Sequence, residues 1–268
     1  MFGSSKYKLY RENGYEFLKI TASDGGLGNL VLIHGMFGGL SNFDPLLDCI
    51  EGYTIYVPDI PLYDLKKSEL TIPGLADWLL GFLESQKISN SVLLGNSMGG
   101  HVALEFAHNY PSQVKALVLT GSSGLLEYDF GSSFPKRKSR EYLKERANMT
   151  FYDDLADDVI VDEILEVVNS RSKMLSLLKL TRSTHSHNME DILAEIYQPT
   201  LLVWGKQDVV TPPKIALKFK SLLPNARLNW IDQCGHAPMM ERPEQFSAMM
   251  KDFLLELEQQ NRSKKKIL

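Results

Sequence analysis

Cysteine is scarce in this 268-residue chain: Cys49 and Cys234 are its only two. Two thiols cannot build a disulfide framework or a four-thiolate zinc site, so the expected compartment is reducing and cytoplasmic. Excess positive charge is also lacking: 29 Lys+Arg stand against 33 Asp+Glu, a net charge of −4. That balance speaks against a nucleic-acid binder, which would carry a basic face. No apolar run approaches the roughly 18 residues of a membrane helix. The start, Met1-Phe2-Gly3-Ser4-Ser5-Lys6-Tyr7-Lys8, has no apolar h-region, and no signal peptide is expected. No internal repeat is apparent. What remains is an ordinary globular composition, 44% hydrophobic and 23% charged.

Short apolar runs alternate with helical patterns over the first 120 residues. Leu30–Ile33, Tyr53–Val57, Ser91–Leu94 and Ala116–Thr120 are predicted strands. Leu75, Trp78, Leu79, Phe82 and Leu83 mark one helix face, and His101–Asn109 a second helix that Pro111 closes. From about residue 125 to 196 the pattern is helical only. Ile160, Ile164, Leu165 and Val168 form one stripe, and Met174, Leu175 and Leu178 hint at another. The alternation resumes with Thr200–Trp204, a helix face of Ile215, Phe219, Leu222 and Leu223, and Ala226–Ile231. Phe246, Met249, Met250, Phe253, Leu254 and Leu257 face inward from a last helix. This predicts an α/β fold with a mostly parallel sheet flanked by helices. Its core, 1–124 and 197–268, is split by a helical insertion, 125–196. The charge run Asn261–Lys266 reads as a frayed, solvated end.

Gly95-Asn96-Ser97-Met98-Gly99 lies where a strand turns into a helix. Such a tight turn strains the serine backbone and leaves no room for bulk at Gly95 and Gly99. The serine hydroxyl is then exposed above a helix N-terminus. A hydroxyl nucleophile needs a base, and the base an orienting carboxylate. Asp208 follows the strand Thr200–Trp204, and His236 follows Ala226–Ile231. Both lie past strand C-termini, on the sheet edge of Ser97, in the order Ser, acid, His. After the preceding strand the chain offers Gly121-Ser122-Ser123 and no carboxylate, which favours Asp208; Asp232 is too near His236 along the strand end.

His34-Gly35-Met36-Phe37-Gly38-Gly39 follows the first apolar strand. The backbone N–H groups of Met98 and of Met36 or Phe37 are the expected oxyanion donors. His34 and Gly35 are expected to shape this loop. His101 reads as a packed or surface histidine, as does His108. His185 and His187 read as a solvated loop rather than a metal pair, and no metal or cofactor is expected. Lys136-Arg137-Lys138 and Arg140 read as a solvated loop, Cys234 as packing, and the pairs Met239-Met240 and Met249-Met250 as core.

These motifs resemble the α/β-hydrolase family in its serine-nucleophile branch, through His34-Gly35, the Ser97 elbow, Asp208, Gly235-His236-Ala237-Pro238 and Glu241-Arg242-Pro243. The resemblance implies an α/β-hydrolase fold in which residues 125–196 form a helical cap over the site. It also implies a small-molecule ester or ketone substrate, and cap faces that often pair as homodimers. Two branches compete. His236-Ala237-Pro238 resembles carboxylesterases, which favours an ester of a small or medium acyl group. Gly95-Asn96-Ser97-Met98-Gly99-Gly100 resembles C–C bond hydrolases of 2-hydroxy-6-oxo-dienoates. In that branch Asn96, Asn42 and a cap arginine, Arg171 or next Arg182, would line the substrate pocket. The chain departs from it in the short Met36–Gly39 loop, in Ala237, and in Asp59-Ile60-Pro61-Leu62-Tyr63. A small-molecule receptor on a hydrolase fold is the alternative of another class, and the intact triad counts against it, since a binding protein has no need of a strained elbow; an acyltransferase would keep the same residues but exclude water.

Overall fold

The structure is a computed structural model that describes residues 7–22, 26–125 and 139–265. The strands are β1 (Leu9–Glu12), β2 (Tyr15–Ile20), β3 (Asn29–Ile33), β4 (Thr54–Pro58), β5 (Ser91–Asn96), β6 (Val114–Thr120), β7 (Thr200–Gly205) and β8 (Ala226–Ile231). The helices are α1 (Asp44–Leu47), α2 (Ile72–Ser85), α3 (Met98–Asn109), α4 (Arg140–Asn148), α5 (Asp158–Asn169), α6 (Arg171–Ser186), α7 (Pro213–Leu222), α8 (Pro238–Glu241) and α9 (Pro243–Lys265).

The eight strands form one sheet in the order β1-β2-β4-β3-β5-β6-β7-β8. β3 to β8 pair in parallel, while β1 and β2 join as an antiparallel edge. Parallel strands covered on both faces read as unbroken apolar runs, and β3, β5, β6 and β7 do. Alternate residues serve opposite layers: Val31, Ile33, Leu93, Leu117 and Leu202 pack with α2, α3 and α7. Leu30, Leu32, Val92, Val118 and Leu201 pack with α1, α8 and α9. Met239 and Met250 are buried in this second layer, with Met240 and Met249 packed against it.

The β1–β2 hairpin had no counterpart among the predicted elements. Adjacent Phe17 and Leu18 are both buried, each on one face of β2, between polar Glu16 and Lys19. That pattern is neither a clean alternation nor a long apolar run.

Between β6 and β7 the described residues hold helices α4, α5 and α6. On α5 the buried side chains are Val161 and Val167, beside the predicted stripe, whose members Ile160, Ile164, Leu165 and Val168 are half-buried. On α6 the predicted stripe is wrong: Leu175 and Leu178 are exposed, while Ser176, Leu177, Leu180 and Thr184 are buried. The inward face is part-polar because it meets polar groups of the core. Lys67 bonds the Ser176 hydroxyl, and the Ile72 N–H donates to the Ser183 hydroxyl at 3.0 Å. α6 also crosses the loop after β3, where the Thr181 hydroxyl lies 3.3 Å from the Met36 sulfur. Lys136, Arg137 and Lys138 lie outside the described residues. The charge run expected as a frayed end is helical as far as Lys265, and Lys266 lies outside the described residues. Among the described residues no helix is long and apolar enough to cross a membrane.

Candidate active site

Ser97 sits between β5 and α3 with φ 55° and ψ −121°, in the left-handed half of backbone space. A non-glycine residue there is strained and must be held by its surroundings. The Ser97 N–H donates to the Thr120 carbonyl at 3.0 Å, and the Ser97 carbonyl accepts from Gly100, His101 and Ser123. The neighbouring glycines have no alternative. A Cβ on Gly95 would lie 2.6 Å from the Gly100 Cα, and one on Gly99 would meet the Ile33 carbonyl, with the Ile33 carbon at 2.6 Å.

Asp208 and His236, 28 residues apart in sequence, meet past the ends of β7 and β8. Their Nδ1–Oδ2 distance is 3.0 Å, and Asp208 is 3% exposed. Three further donors hold the carboxylate. The N–H groups of Val210 and Thr211 reach Oδ1 at 2.8 and 2.9 Å, and the Thr211 hydroxyl reaches Oδ2 at 2.8 Å. The Thr211 carbonyl is in turn fixed by the Trp204 indole N–H at 2.8 Å. An Nδ1 proton directed at Asp208 would leave a lone pair on Nε2, the arrangement a general base requires. The ring also packs on the turn after β6: a Cβ on Gly121 (φ +53°) would lie 2.7 Å from His236 Nδ1. Sequence reasoning missed Thr211, a common residue type in a loop with no motif around it.

The loop after β3 borders the elbow, where a Cβ on Gly35 would lie 3.3 Å from the Ser97 Cβ. His34 holds the loop from beneath. Its Nδ1 lies 2.8 Å from the Gly35 carbonyl, and its Nε2 accepts the Ile60 N–H at 3.2 Å. Burial disfavours the charged imidazole and lowers its pKa, which suits a ring that donates at one nitrogen and accepts at the other. Met36 is half-buried and the Phe37 side chain is exposed. Among the described residues the Met36 and Met98 N–H groups donate to no backbone carbonyl.

The other predicted pocket residues are placed differently. Asn96 is buried, and its side-chain amide donates to the Thr120 carbonyl at 3.2 Å and to the His236 carbonyl at 3.1 Å. Asn42 accepts the Gly39 N–H at 3.0 Å, closing the turn after β3. Both amides bond to the backbone of the site. Arg171 and Arg182 are solvent-exposed on α6. His101 is fully buried behind the elbow, with Nε2 3.1 Å from His187 Nδ1, so His187 packs on α3 instead of lying in a solvated loop; His185 is exposed. Cys234 is buried beside Glu241, and burial pushes its thiol pKa well up.

A sequence model of the Alpha/beta hydrolase family matches residues 30–249. The chain belongs to this family. It is therefore a hydrolase, and its eight-stranded, mostly parallel sheet is the α/β-hydrolase fold. It is 30% identical over 280 residues to a 2-hydroxy-6-oxononadienedioate/2-hydroxy-6-oxononatrienedioate hydrolase of Paraburkholderia phymatum, covering 94% of this chain and 96% of that relative. Lipase 1 of Psychrobacter immobilis is 28% identical over 257 residues, covering 86% of this chain and 78% of the lipase. Among solved structures, the alpha/beta hydrolase enzyme MGS-MChE2, from the metagenome of sediments from the lagoon of Mar Chica, Morocco, is 37% identical. Its TM-score is 0.76, with 93% of this chain and 98% of that chain covered.

Proposed function

We propose that the protein is a serine hydrolase that cleaves a carboxylic ester of a small or medium acyl group. The observation that carries the reading is the 3.0 Å Asp208–His236 hydrogen bond at the sheet edge where Ser97 is held at φ 55°. Ser97 Oγ attacks the ester carbonyl carbon, and His236 Nε2 takes its proton. The tetrahedral oxyanion lies against the N–H groups of Met98 and Met36, with Phe37 as an alternative second donor. As the carbon–oxygen bond breaks, His236 returns the proton to the departing alkoxide. A water then attacks the acyl-enzyme, losing a proton to His236. Collapse of the second intermediate releases the acid and restores the Ser97 hydroxyl. Each oxyanion donor contributes about 10²–10³ in turnover in such sites. In this reading helices α4 to α6, within residues 125–196, roof the site as a cap.

An ester is preferred because the polar groups expected to hold a dienoate are otherwise engaged. Asn96 and Asn42 bond backbone, and Arg171 and Arg182 are exposed. An ester carbonyl needs no buried cation. The second reading is hydrolysis of a C–C bond in a 2-hydroxy-6-oxo-dienoate, and the relative in Paraburkholderia phymatum favours it. The test is kcat/KM over p-nitrophenyl acetate to octanoate and a 2-hydroxy-6-oxo-dienoate. Turnover of the esters alone is the expected result. A dienoate preferred by orders of magnitude establishes the second reading, and no turnover of either class overturns both.

A further inference from the structure

We propose that Glu241 is a positioning residue for the catalytic base, holding the His236 loop in register with the triad. This inference rests on the serine-hydrolase reading above. Glu241 ends α8 with a carboxylate that is buried, its residue only 6% exposed. Its Oε1 accepts the N–H groups of Gly235 at 3.0 Å and Ala237 at 3.2 Å. Its Oε2 lies 3.1 Å from the Gly235 nitrogen and accepts the Tyr152 N–H at 2.7 Å.

The N–H between those of Gly235 and Ala237 belongs to His236, and it donates to the Thr150 carbonyl at 2.7 Å. Three consecutive N–H groups around the base therefore have fixed acceptors, although residues 232–237 form neither helix nor strand. Two of the three rest on one carboxylate. The same carboxylate reaches Tyr152, and Arg242 pairs with Asp153 at 2.9 Å. The base loop and the segment after α4 are thus sewn together. The fit is tight, because a Cβ on Gly235 would lie 2.7 Å from the Thr150 carbonyl oxygen.

The chemistry demands an acceptor at both oxygens. A glutamine has the same shape but one NH₂, which would face the Gly235 and Ala237 donors or the Tyr152 donor. At least one buried N–H would then lose its partner, and the loop must shift to recover it. A shift of about 1 Å at a catalytic group can cost on the order of 10²-fold in rate. No side-chain atom of Glu241 need touch substrate for this effect.

The test is phosphonylation of Ser97 by an alkyl fluorophosphonate, which forms the Oγ–P bond and expels fluoride. It needs an activated serine, whichever acyl or ketone substrate the enzyme takes. Wild type, His236→Ala, Glu241→Gln and Glu241→Asp are compared below their melting midpoints. Glu241→Gln is expected to lower the maximal labelling rate about 10- to 100-fold, with half-saturation changed less than about threefold. A merely structural loosening would move both. Glu241→Asp keeps two acceptors on a shorter stem and is expected to fall between Gln and wild type, about threefold to tenfold down. If the Gln variant does not fold, the Asp variant carries the test. Labelling within twofold of wild type in the folded variants, with His236→Ala inert, overturns the positioning role alone. Wild-type labelling of His236→Ala overturns the triad reading and this role with it.

Discussion

At the scale of single residues, the proposed mechanism makes Ser97, Asp208 and His236 act together. Ser97→Ala removes the attacking oxygen and is expected to cut turnover by about 10⁶. Asp208→Asn keeps the shape but presents an NH₂ or a neutral oxygen to His236 Nδ1. It favours the wrong tautomer and is expected to cost about 10⁴ in kcat. Because Thr211 and two backbone N–H groups hold the carboxylate in place, the asparagine variant should melt close to wild type. Steady-state kinetics and a melting curve on the same samples separate loss of chemistry from loss of fold. Turnover of the asparagine variant within tenfold of wild type would remove Asp208 from the triad. The motif residues were readable in sequence because their chemistry restricts residue type and order. The backbone bonds of Asn96 and Asn42 were not, because a side-chain amide can donate to a carbonyl, as Asn96 does, or accept an N–H, as Asn42 does, and only the fold brings these partners near.

At the scale of elements, the strand-to-helix turn after β5 is governed by backbone contact. Gly99→Ala would drive a Cβ into the Ile33 carbonyl, on the neighbouring strand β3. Backbone on both sides cannot yield as a side chain does, so the cost should exceed the about 1–3 kcal/mol of ordinary overpacking. Gly81→Ala in α2 is the control. Its added carbon meets only the Tyr15 side chain at 2.5 Å, and a helix-interior alanine gains about 0.5–1 kcal/mol over glycine. Gly99→Ala is expected to lose most soluble folded protein, while Gly81→Ala melts within a few degrees of wild type. Equal melting midpoints would show that the turn has slack. The parallel strands were legible because burial on both faces leaves uninterrupted apolar runs. The β1–β2 hairpin was not, since Phe17 and Leu18 point to opposite layers between polar neighbours. α6 misled for a related reason. Its buried side includes Ser176 and Thr184, and Ser176 and Ser183 meet polar groups of the core, so hydrophobicity no longer marks the buried side.

At the scale of the whole molecule, the segment after α6 meets α3 at His101, a fully buried histidine whose burial disfavours the charged form. His187 follows α6 and meets His101 on α3 at 3.1 Å, while Glu105 on the same helix lies 3.5 Å from the other His187 nitrogen. The neighbouring Met189 N–H donates to the Gly124 carbonyl, so the segment after α6 is bonded to the loop that leaves β6. Burial, reinforced by the adjacent His187, lowers the His101 pKa from 6.5 to about 3. The sign follows directly. Between those values the unfolded chain binds a proton that the folded one refuses, so this contribution is complete above pH 6.5 and falls as the pH drops towards 3. The slope is about 1.4 kcal/mol per pH unit, or about 2 kcal/mol from pH 7 to pH 5. His34 acts in the same direction, while burial raises the Asp59 pKa and opposes it. Subtracting a variant isolates the one group. His101→Gln is expected to be less stable at pH 7, yet to lose about 2 kcal/mol less than wild type on going to pH 5. Urea unfolding at the two pH values measures both. Parallel losses in the two proteins would mean that His101 takes up its proton without unfolding, and that the contact between α3 and the segment after α6 is open to water.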